Sequence, residues 1–156
     1  MPVYHFIPMS SKYLAAMDGW TYGEHFPDFD VEAYHASARH GADPLSGPRG
    51  CDGYAVLDDA EELIGLFEYY FNDNGKASIG LALRPALTNR GLGRDFLEAG
   101  VEFLVSNYNY RRPYVYLSVD PGNEPALKLY HRAGFEPVLP RTSGEEIQMR
   151  RRITSP

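Results

Sequence analysis

The sequence contains one cysteine, Cys51, among 156 residues. A single thiol cannot form an intramolecular disulfide or a multi-cysteine metal site. The five histidines show no spacing typical of metal ligands, so we expect no bound metal. No segment approaches the roughly 18 apolar residues of a membrane span, and residues 1–8 lack the basic flank and apolar run of a signal peptide. We therefore expect a cytoplasmic protein without a membrane partner.

Charge is unevenly distributed along the chain, whose formal net charge is −6. Residues 1–83 contain 4 Lys/Arg and 13 Asp/Glu, and residues 84–156 contain 11 and 8, so the two parts carry −9 and +3. This pattern favours an acidic part that faces a cation and a basic part that faces a polyanion, although scattered solvated charges give the same count. The basic run at 150–152 fits a solvated edge strand better than a nucleic-acid surface, so we expect no nucleic-acid partner.

Length and periodicity predict one domain that mixes helices and strands. Turn residues separate three apolar segments in the middle of the chain, which is typical of antiparallel strands joined by hairpins. Strands are predicted at 3–7, 54–57, 63–71, 77–83, 114–119, 135–138 and 147–153. Helices are predicted after Ser10 or Ser11, at 31–40, at 94–106 and between Asn123 and Gly134.

A loop with two glycines lies between the strand at 77–83 and the helix at 94–106. Its sequence is Thr88-Asn89-Arg90-Gly91-Leu92-Gly93. The unpaired N–H groups and the dipole of the following helix favour an anion there, and Arg90 and Arg94 add full positive charge. The third glycine of a dinucleotide fingerprint and the Gly-Lys-Ser/Thr of a P-loop are both missing. The pattern alone therefore predicts either a phosphate-binding loop or a tight strand-to-helix turn.

A second pattern follows, Asn-x-x-Ala-x-x-x-Tyr-x-x-x-Gly-Phe, formed by Asn123, Ala126, Tyr130 and Gly134-Phe135. Taken alone it describes an N-cap and two core residues on one helix face. Together with the preceding strand and loop, it closely resembles the GNAT superfamily of acyl-CoA-dependent N-acyltransferases. The family pattern Val-x-Pro-x-x-Arg/Gln-Gly-x-Gly-x-Gly/Ala corresponds here to residues 83–93.

Two residues of the loop depart from the family pattern. Thr88 stands where the family usually has Arg or Gln, which removes one polar contact to the cofactor. Asn89 replaces a common glycine, and Asn is the residue other than glycine that best tolerates left-handed backbone geometry. We expect the turn to persist and Arg90 and Arg94 to compensate for the missing polar group.

The resemblance covers residues 53–153 and is strongest over 77–135. It implies an α+β, GNAT-like fold with a mixed central sheet of about six or seven strands and about four flanking helices. Most strands would be antiparallel, with a splayed parallel pair at the cofactor site. Within a single domain over 1–156, it implies acceptor-side helices and a loop in 1–50 and an acetyl-CoA-binding core in 53–153.

The resemblance also implies roles for individual residues toward acetyl-CoA as cosubstrate. The backbone of Leu81 to Leu83 and the Asn123 side chain would bind the pantetheine arm, and the amides from Arg90 to Arg94 would hold the pyrophosphate. Tyr130 would protonate the departing CoA thiolate. The cofactor-binding set is Leu81, Leu83, Thr88, Asn89, Arg90, Gly91, Leu92, Gly93, Arg94 and Asn123.

An attacking amine must lose a proton, and Glu68 is the first candidate base. It lies on the predicted strand 63–71, on the same alternating face as Ile64, Leu66 and Tyr70. A carboxylate paired at the solvent edge would look the same in sequence, and water, His25 or Glu24 are alternative bases. The aromatic and acidic loop at 20–30 is predicted either to bind the cationic acceptor or to cover one face of the sheet.

These observations predict an N-acetyltransferase in which a primary amine attacks acetyl-CoA directly in a ternary complex. The alternatives are a GNAT-like domain that senses acyl-CoA without catalysis and an interaction domain with no cofactor. An antibiotic, a polyamine, an amino acid or a protein N-terminus would each fit the acidic first half as acceptor. The resemblance is also compatible with a homodimer.

Overall fold

A computed structural model of the protein describes residues 3–20, 31–87, 91–138 and 146–153. The strands are β1 (His5–Pro8), β2 (Asp52–Leu57), β3 (Leu63–Phe71), β4 (Ala77–Leu83), β5 (Tyr114–Val119), β6 (Glu136–Pro137) and β7 (Ile147–Arg152). The α-helices are α1 (Ser11–Met17), α2 (Val31–Arg39), α3 (Gly93–Asn107) and α4 (Glu124–Arg132). Short 3₁₀ turns occur at Pro48–Gly50 and Pro85–Leu87.

All seven strands form one mixed sheet in the order β1-β2-β3-β4-β5-β7-β6. The antiparallel hairpins of β2, β3 and β4 confirm the prediction made from the turn residues. The β3–β4 turn closes with Asn72, whose side-chain oxygen accepts from the N–H groups of Asn74 and Lys76. Strands β4 and β5 are parallel, as the resemblance implied. The α+β fold with a seven-stranded sheet and four described α-helices is therefore confirmed.

Helices cover both faces of the sheet, so the described core has two parts. The larger cluster contains side chains of α3, α4 and the central strands. The smaller cluster contains Leu14 and Met17 of α1, Tyr34 of α2, and Ala55 and Leu66 of the sheet. Alternation along β3 explains this division from Gly65 onward, because successive side chains of a strand point to opposite faces. Ile64 departs from the predicted alternation and belongs to the larger cluster, beside a shift in the register of β2 and β3.

The close approach of α3 to β3 depends on Gly100. A Cβ atom at this position would lie 2.0 Å from the Phe67 ring, which no real structure tolerates. The Tyr69 hydroxyl donates to the Gly100 carbonyl oxygen at 2.6 Å. The missing side chain and this bond together hold α3 against β3.

Some predicted boundaries differ from the observed ones. The strand predicted at 135–138 is reduced to Glu136–Pro137, because the Phe135 N–H instead donates to the Tyr130 carbonyl and closes the end of α4. The strand predicted to begin at Tyr54 begins at Asp52, beside Tyr69 of β3. Among the described residues, no helix has the length and apolar character that crossing a membrane requires.

Candidate active site

The parallel pair β4–β5 opens toward its carboxyl ends. The ladder between these strands consists of Ser78 opposite Tyr116. Beyond this point β4 continues to Leu83, paired on its other side with β3 but not with β5. A gap between two strands leaves backbone N–H and C=O groups on their facing edges, ready to pair with an extended ligand.

A cavity of about 540 Å³ lies at this opening and is called the α4 cavity. Its walls come from the end of β4, the glycine loop, the start of α3 and one face of α4. The lining residues include Leu81, Ala82, Leu83, Gly91, Gly93, Phe96, Asn123, Ala126, Leu129 and Tyr130. The structure thus brings together six of the residues predicted at the site: Leu81, Leu83, Gly91, Gly93, Asn123 and Tyr130.

The glycine loop reaches the α4 cavity through Gly91 and Gly93. Gly91 has φ +74°, a backbone conformation that glycine adopts without strain. Gly93 begins α3, and a Cβ atom there would lie 3.0 Å from Leu129 Cδ2 of α4. Leu92 is the N-cap of α3 and Arg94 is exposed, and neither lines the cavity. Thr88, Asn89 and Arg90 lie outside the described residues.

Asn123 caps α4, as its position before Pro125 predicts. Its Oδ1 accepts from the Ala126 N–H at 3.2 Å. This bond fixes the side-chain amide at the rim of the α4 cavity. The capping oxygen is used by the helix, so the amide nitrogen is the end of Asn123 that a ligand carbonyl would engage.

Tyr130 lies on the cavity face of α4 and is 9% exposed. Burial raises the pKa of its phenol to about 12. The ring packs at a tilt on Phe135, with 6.0 Å between centroids. Tyr130 therefore keeps its proton at any physiological pH and can act as a hydrogen-bond donor inside the α4 cavity.

Glu68 is the buried charged residue of the described core, with 7% of its surface exposed. Its Oε2 accepts from the Tyr34 hydroxyl at 2.5 Å, and its Oε1 accepts from the Tyr70 hydroxyl at 2.9 Å. It pairs in register with Gly53 of β2 and Gly80 of β4. A carboxylate buried in this way is typical of functional sites rather than of solvated edges.

A second cavity, of about 580 Å³, lies beside the end of β3 and is called the β3 cavity. Its walls include the aromatic residues Tyr69, Tyr70 and Phe71 and the charged residues Arg49, Asp52 and Glu146. On β4 it extends to Gly80, and the α4 cavity begins at the next residue, Leu81. The linings of the two cavities thus adjoin along β4, where β4 and β5 separate, and this place is called the junction of the cavities.

Several other predicted features lie outside the described residues or do not gather into a site. His25, Glu24 and most of the predicted acceptor loop belong to residues 21–30, which are outside the described ranges. Within those ranges, no group of three His, Cys, Asp or Glu side chains is arranged to hold a metal ion.

Sequence reasoning missed Tyr34 and the role of Gly80. Gly80 could have been found, because the Asn72–Gly75 turn sets the β3–β4 register and places residue 80 opposite residue 68. Tyr34 lies on a separate helix, 34 positions before Glu68, and no local pattern links the two. Only the folded chain brings this hydroxyl to the carboxylate.

One curated relative supports the assignment over part of the chain. The spermine/spermidine N(1)-acetyltransferase of Bacillus subtilis is 32% identical over 77 residues, which cover 47% of this chain and 49% of that protein. The chain thus spans about half the length of the curated relatives it matches.

Solved structures and a family profile extend the comparison. A chimera of the spermidine N-acetyltransferase SpeG from Vibrio cholerae and hSSAT has a TM-score of 0.73 at 17% identity, covering 96% of this chain and 95% of that one. The N-acetyltransferase PseH of Campylobacter jejuni has a TM-score of 0.69 at 14% identity, covering 98% and 100%. These likenesses concern the fold. The profile of the Acetyltransferase (GNAT) family matches residues 14–135, so the chain belongs to the GNAT family of acetyltransferases.

Proposed function

We propose that the protein transfers the acetyl group of acetyl-CoA to a primary amine by direct attack in a ternary complex. The observation that carries this proposal is the junction of the two cavities at Gly80 and Leu81. A buried carboxylate lies on one side of that junction and a buried phenol on the other. Two substrates entering from opposite sides would meet between a proton acceptor and a proton donor.

The α4 cavity fits the pantetheine arm and pyrophosphate of acetyl-CoA. The backbone of Leu81 and Leu83, on the side of β4 that faces β5, is proposed to bind the amides of the arm, and Asn123 offers its amide nitrogen. Gly91, Leu92, Gly93 and Arg94 lie at the start of α3, where helix N–H groups favour a diphosphate. Thr88, Asn89 and Arg90 complete this proposed set by sequence alone.

Tyr130 is proposed to assist departure of the CoA thiolate. The amine nitrogen forms a bond to the thioester carbon, the carbon–sulfur bond breaks, and the sulfur leaves with the electron pair. A thiol titrates near 8.5 in water, well below the pKa of about 12 of Tyr130. Full proton transfer to the thiolate is therefore uphill, and we infer that Tyr130 stabilises the developing charge by donating a hydrogen bond.

Glu68 is proposed as the base that removes the proton of the acceptor amine, directly or through one water. Its Oε1 lies 3.3 Å from the position that a Gly80 Cβ would take, so this oxygen faces the junction of the cavities. The other oxygen is engaged by Tyr34. The strand β4 itself carries no acid, and Glu68 is the carboxylate that the register places opposite Gly80.

The acceptor is proposed to be a polyamine. The names of the Bacillus and Vibrio relatives support this class. The β3 cavity combines the carboxylates of Asp52 and Glu146 with aromatic rings, and both groups attract an ammonium ion. The acidic residues 1–50 would complete the acceptor side, and residues 53–153 would form the acetyl-CoA core of one domain.

A panel of amines, read by release of CoA thiol, tests the proposal. We expect release with spermidine or spermine and none with a fully N-acetylated spermidine, which lacks the primary amine. Amino acids, aminoglycosides and peptide N-termini complete the panel and report other acceptor classes. Tight acetyl-CoA binding by calorimetry without release for any amine would identify a sensor domain, and absence of binding would exclude an acetyl-CoA site.

A further inference from the structure

We infer that Tyr34 of α2 is a positioning residue for Glu68, which holds one carboxylate oxygen so that the other faces the acceptor amine. This inference rests on the proposed amine acetylation and adds to it a residue from a helix that contributes nothing to the α4 cavity. The Tyr34 side chain is completely buried. Its hydroxyl oxygen lies 2.5 Å from Glu68 Oε2, within the range of a charge-assisted O–H···O⁻ bond.

The neighbouring backbone is shaped to admit Tyr34. A Cβ atom at Gly53 would lie 2.2 Å from the Tyr34 hydroxyl oxygen, and one at Gly47 would lie 2.6 Å from its ring. Any side chain at these two positions would displace the ring. Gly53 is also the β2 residue paired with Glu68. The Tyr34 phenol therefore reaches the carboxylate through the space that a side chain at position 53 would occupy.

The two oxygens of Glu68 have different surroundings. Oε2 receives the shorter bond, from Tyr34, while Oε1 receives the longer one, from Tyr70, at 2.9 Å. Tyr70 lines the β3 cavity and Tyr34 does not. Oε1 therefore lies on the side of Tyr70 and Gly80, which line the β3 cavity, and Tyr34 holds the carboxylate from the opposite side.

The titratable groups around Glu68 keep Tyr34 in the donor role. Burial and then the charge of Glu68 raise the pKa of Tyr34 far above its ordinary value. The Cys51 thiol lies close by, and burial followed by the same charge raises its pKa to about 11. The Arg49 guanidinium lies over the Tyr70 ring at 4.6 Å. At neutral pH the described neighbours of the carboxylate thus include two phenols, a neutral thiol and one cation beyond Tyr70.

The test is the pH dependence of kcat/KM in Tyr34→Phe. Removing a donor from an ionised carboxylate favours its protonation, so the acidic limb should move to higher pH by about one unit. At pH values below the acidic limb, the kcat/KM of Tyr34→Phe should be roughly tenfold lower than that of the wild type, while the KM for acetyl-CoA stays unchanged. Gly53→Ala keeps every polar group but displaces the Tyr34 ring, and it should move the limb in the same direction.

Tyr110→Phe is the matched control, because Tyr110 is a buried phenol whose hydroxyl bonds to the backbone of Tyr114 and Ala77 and not to a carboxylate. It should lose stability without moving the limb. An unmoved limb in both Tyr34→Phe and Gly53→Ala, or a uniform loss at every pH, would overturn the inference.

An infrared titration separates this result from failure of the proposed function, because it needs no substrate. The carboxyl band of Glu68 is assigned by its disappearance in Glu68→Gln. A higher protonation midpoint in Tyr34→Phe supports the inference even if no amine is acetylated, and an unchanged midpoint contradicts it. Absence of CoA release by the wild type contradicts the acetyl-transfer proposal alone.

Discussion

The α4 cavity and the β3 cavity are lined by different kinds of chemical groups. The α4 cavity presents β4 backbone, glycines and apolar side chains, with one capping amide, one phenol and the charged groups of Glu124, Lys128 and Arg132 on α4. The β3 cavity presents charged groups, hydroxyls and aromatic rings. A cavity that uses backbone suits a ligand of constant shape, whereas a cavity that uses side chains can change its ligand by substitution. The difference indicates that cofactor recognition is fixed by the fold and that acceptor choice is fixed by individual residues.

The largest expected effect on kcat comes from Glu68, which lies beside the β3 cavity. Glu68→Gln keeps the size of the side chain but removes its basicity, so kcat should fall about 10²- to 10⁴-fold. The acetyl-CoA dissociation constant should stay unchanged, which calorimetry can check. Glu98→Gln is the control, because Glu98 of α3 forms an ion pair with Arg151 of β7 and neither residue lines the α4 cavity or the β3 cavity. Equal kcat values for Glu68→Gln and the wild type would remove the proposed base.

The second largest expected effect on kcat comes from Tyr130, which lines the α4 cavity. Tyr130→Phe removes only the hydroxyl, and a hydrogen bond to a developing charge contributes about 1.5–3 kcal/mol. The kcat should therefore fall about 10- to 100-fold, with little change in acetyl-CoA affinity. Steady-state kinetics with saturating amine measures this. Unchanged turnover would contradict the role of Tyr130, and a large loss of affinity would assign it to binding instead.

A third change should affect the cofactor alone. Gly93→Val places methyl groups where Leu129 Cδ2 already lies 3.0 Å from a Cβ position, so the Leu129 side chain or the start of α3 must shift. Displacement of the helix N-terminus by about 1 Å should raise the KM for acetyl-CoA about tenfold and leave the KM for the amine unchanged. Gly19→Val is the control, because a Cβ atom there meets nothing within 4 Å. An equal rise in both KM values would show that the two cavities are not separable.

The smallest effect concerns stability at high pH. The folded chain holds the Tyr130 proton up to a pKa of about 12, while an unfolded tyrosine loses it near 10. Its contribution to stability is therefore complete below pH 10 and lost as pH rises to 12, at about 1.4 kcal/mol per pH unit. In Tyr130→Phe the free energy of unfolding should decline less steeply over this window. Denaturant titrations at several pH values measure the slope, and an unchanged slope would place the Tyr130 phenol in water.

Sequence predicted the α4 cavity better than the β3 cavity for a physical reason. Gly91, Gly93, Asn123 and Tyr130 act within one loop and one helix, so spacing along the chain reports their geometry. The bonds of Glu68 instead join β3 to α2, and they depend on how the helix packs. The long strands were predicted closely. The strand predicted at 135–138 was too long, because the Phe135 N–H closes the end of α4.

The pairing of Glu68 with Gly80 has a consequence for how this protein can vary through evolution. The carboxylate occupies space that a side chain at position 80 would need. An acid at either position can therefore reach the junction of the cavities, whereas acids at both would crowd each other and place like charges on directly paired residues. We expect homologues to carry the carboxylate on β3 or on β4 and to exchange the two arrangements only through paired substitutions. We therefore expect the acid at position 68 and the glycine at position 80 to be inherited together.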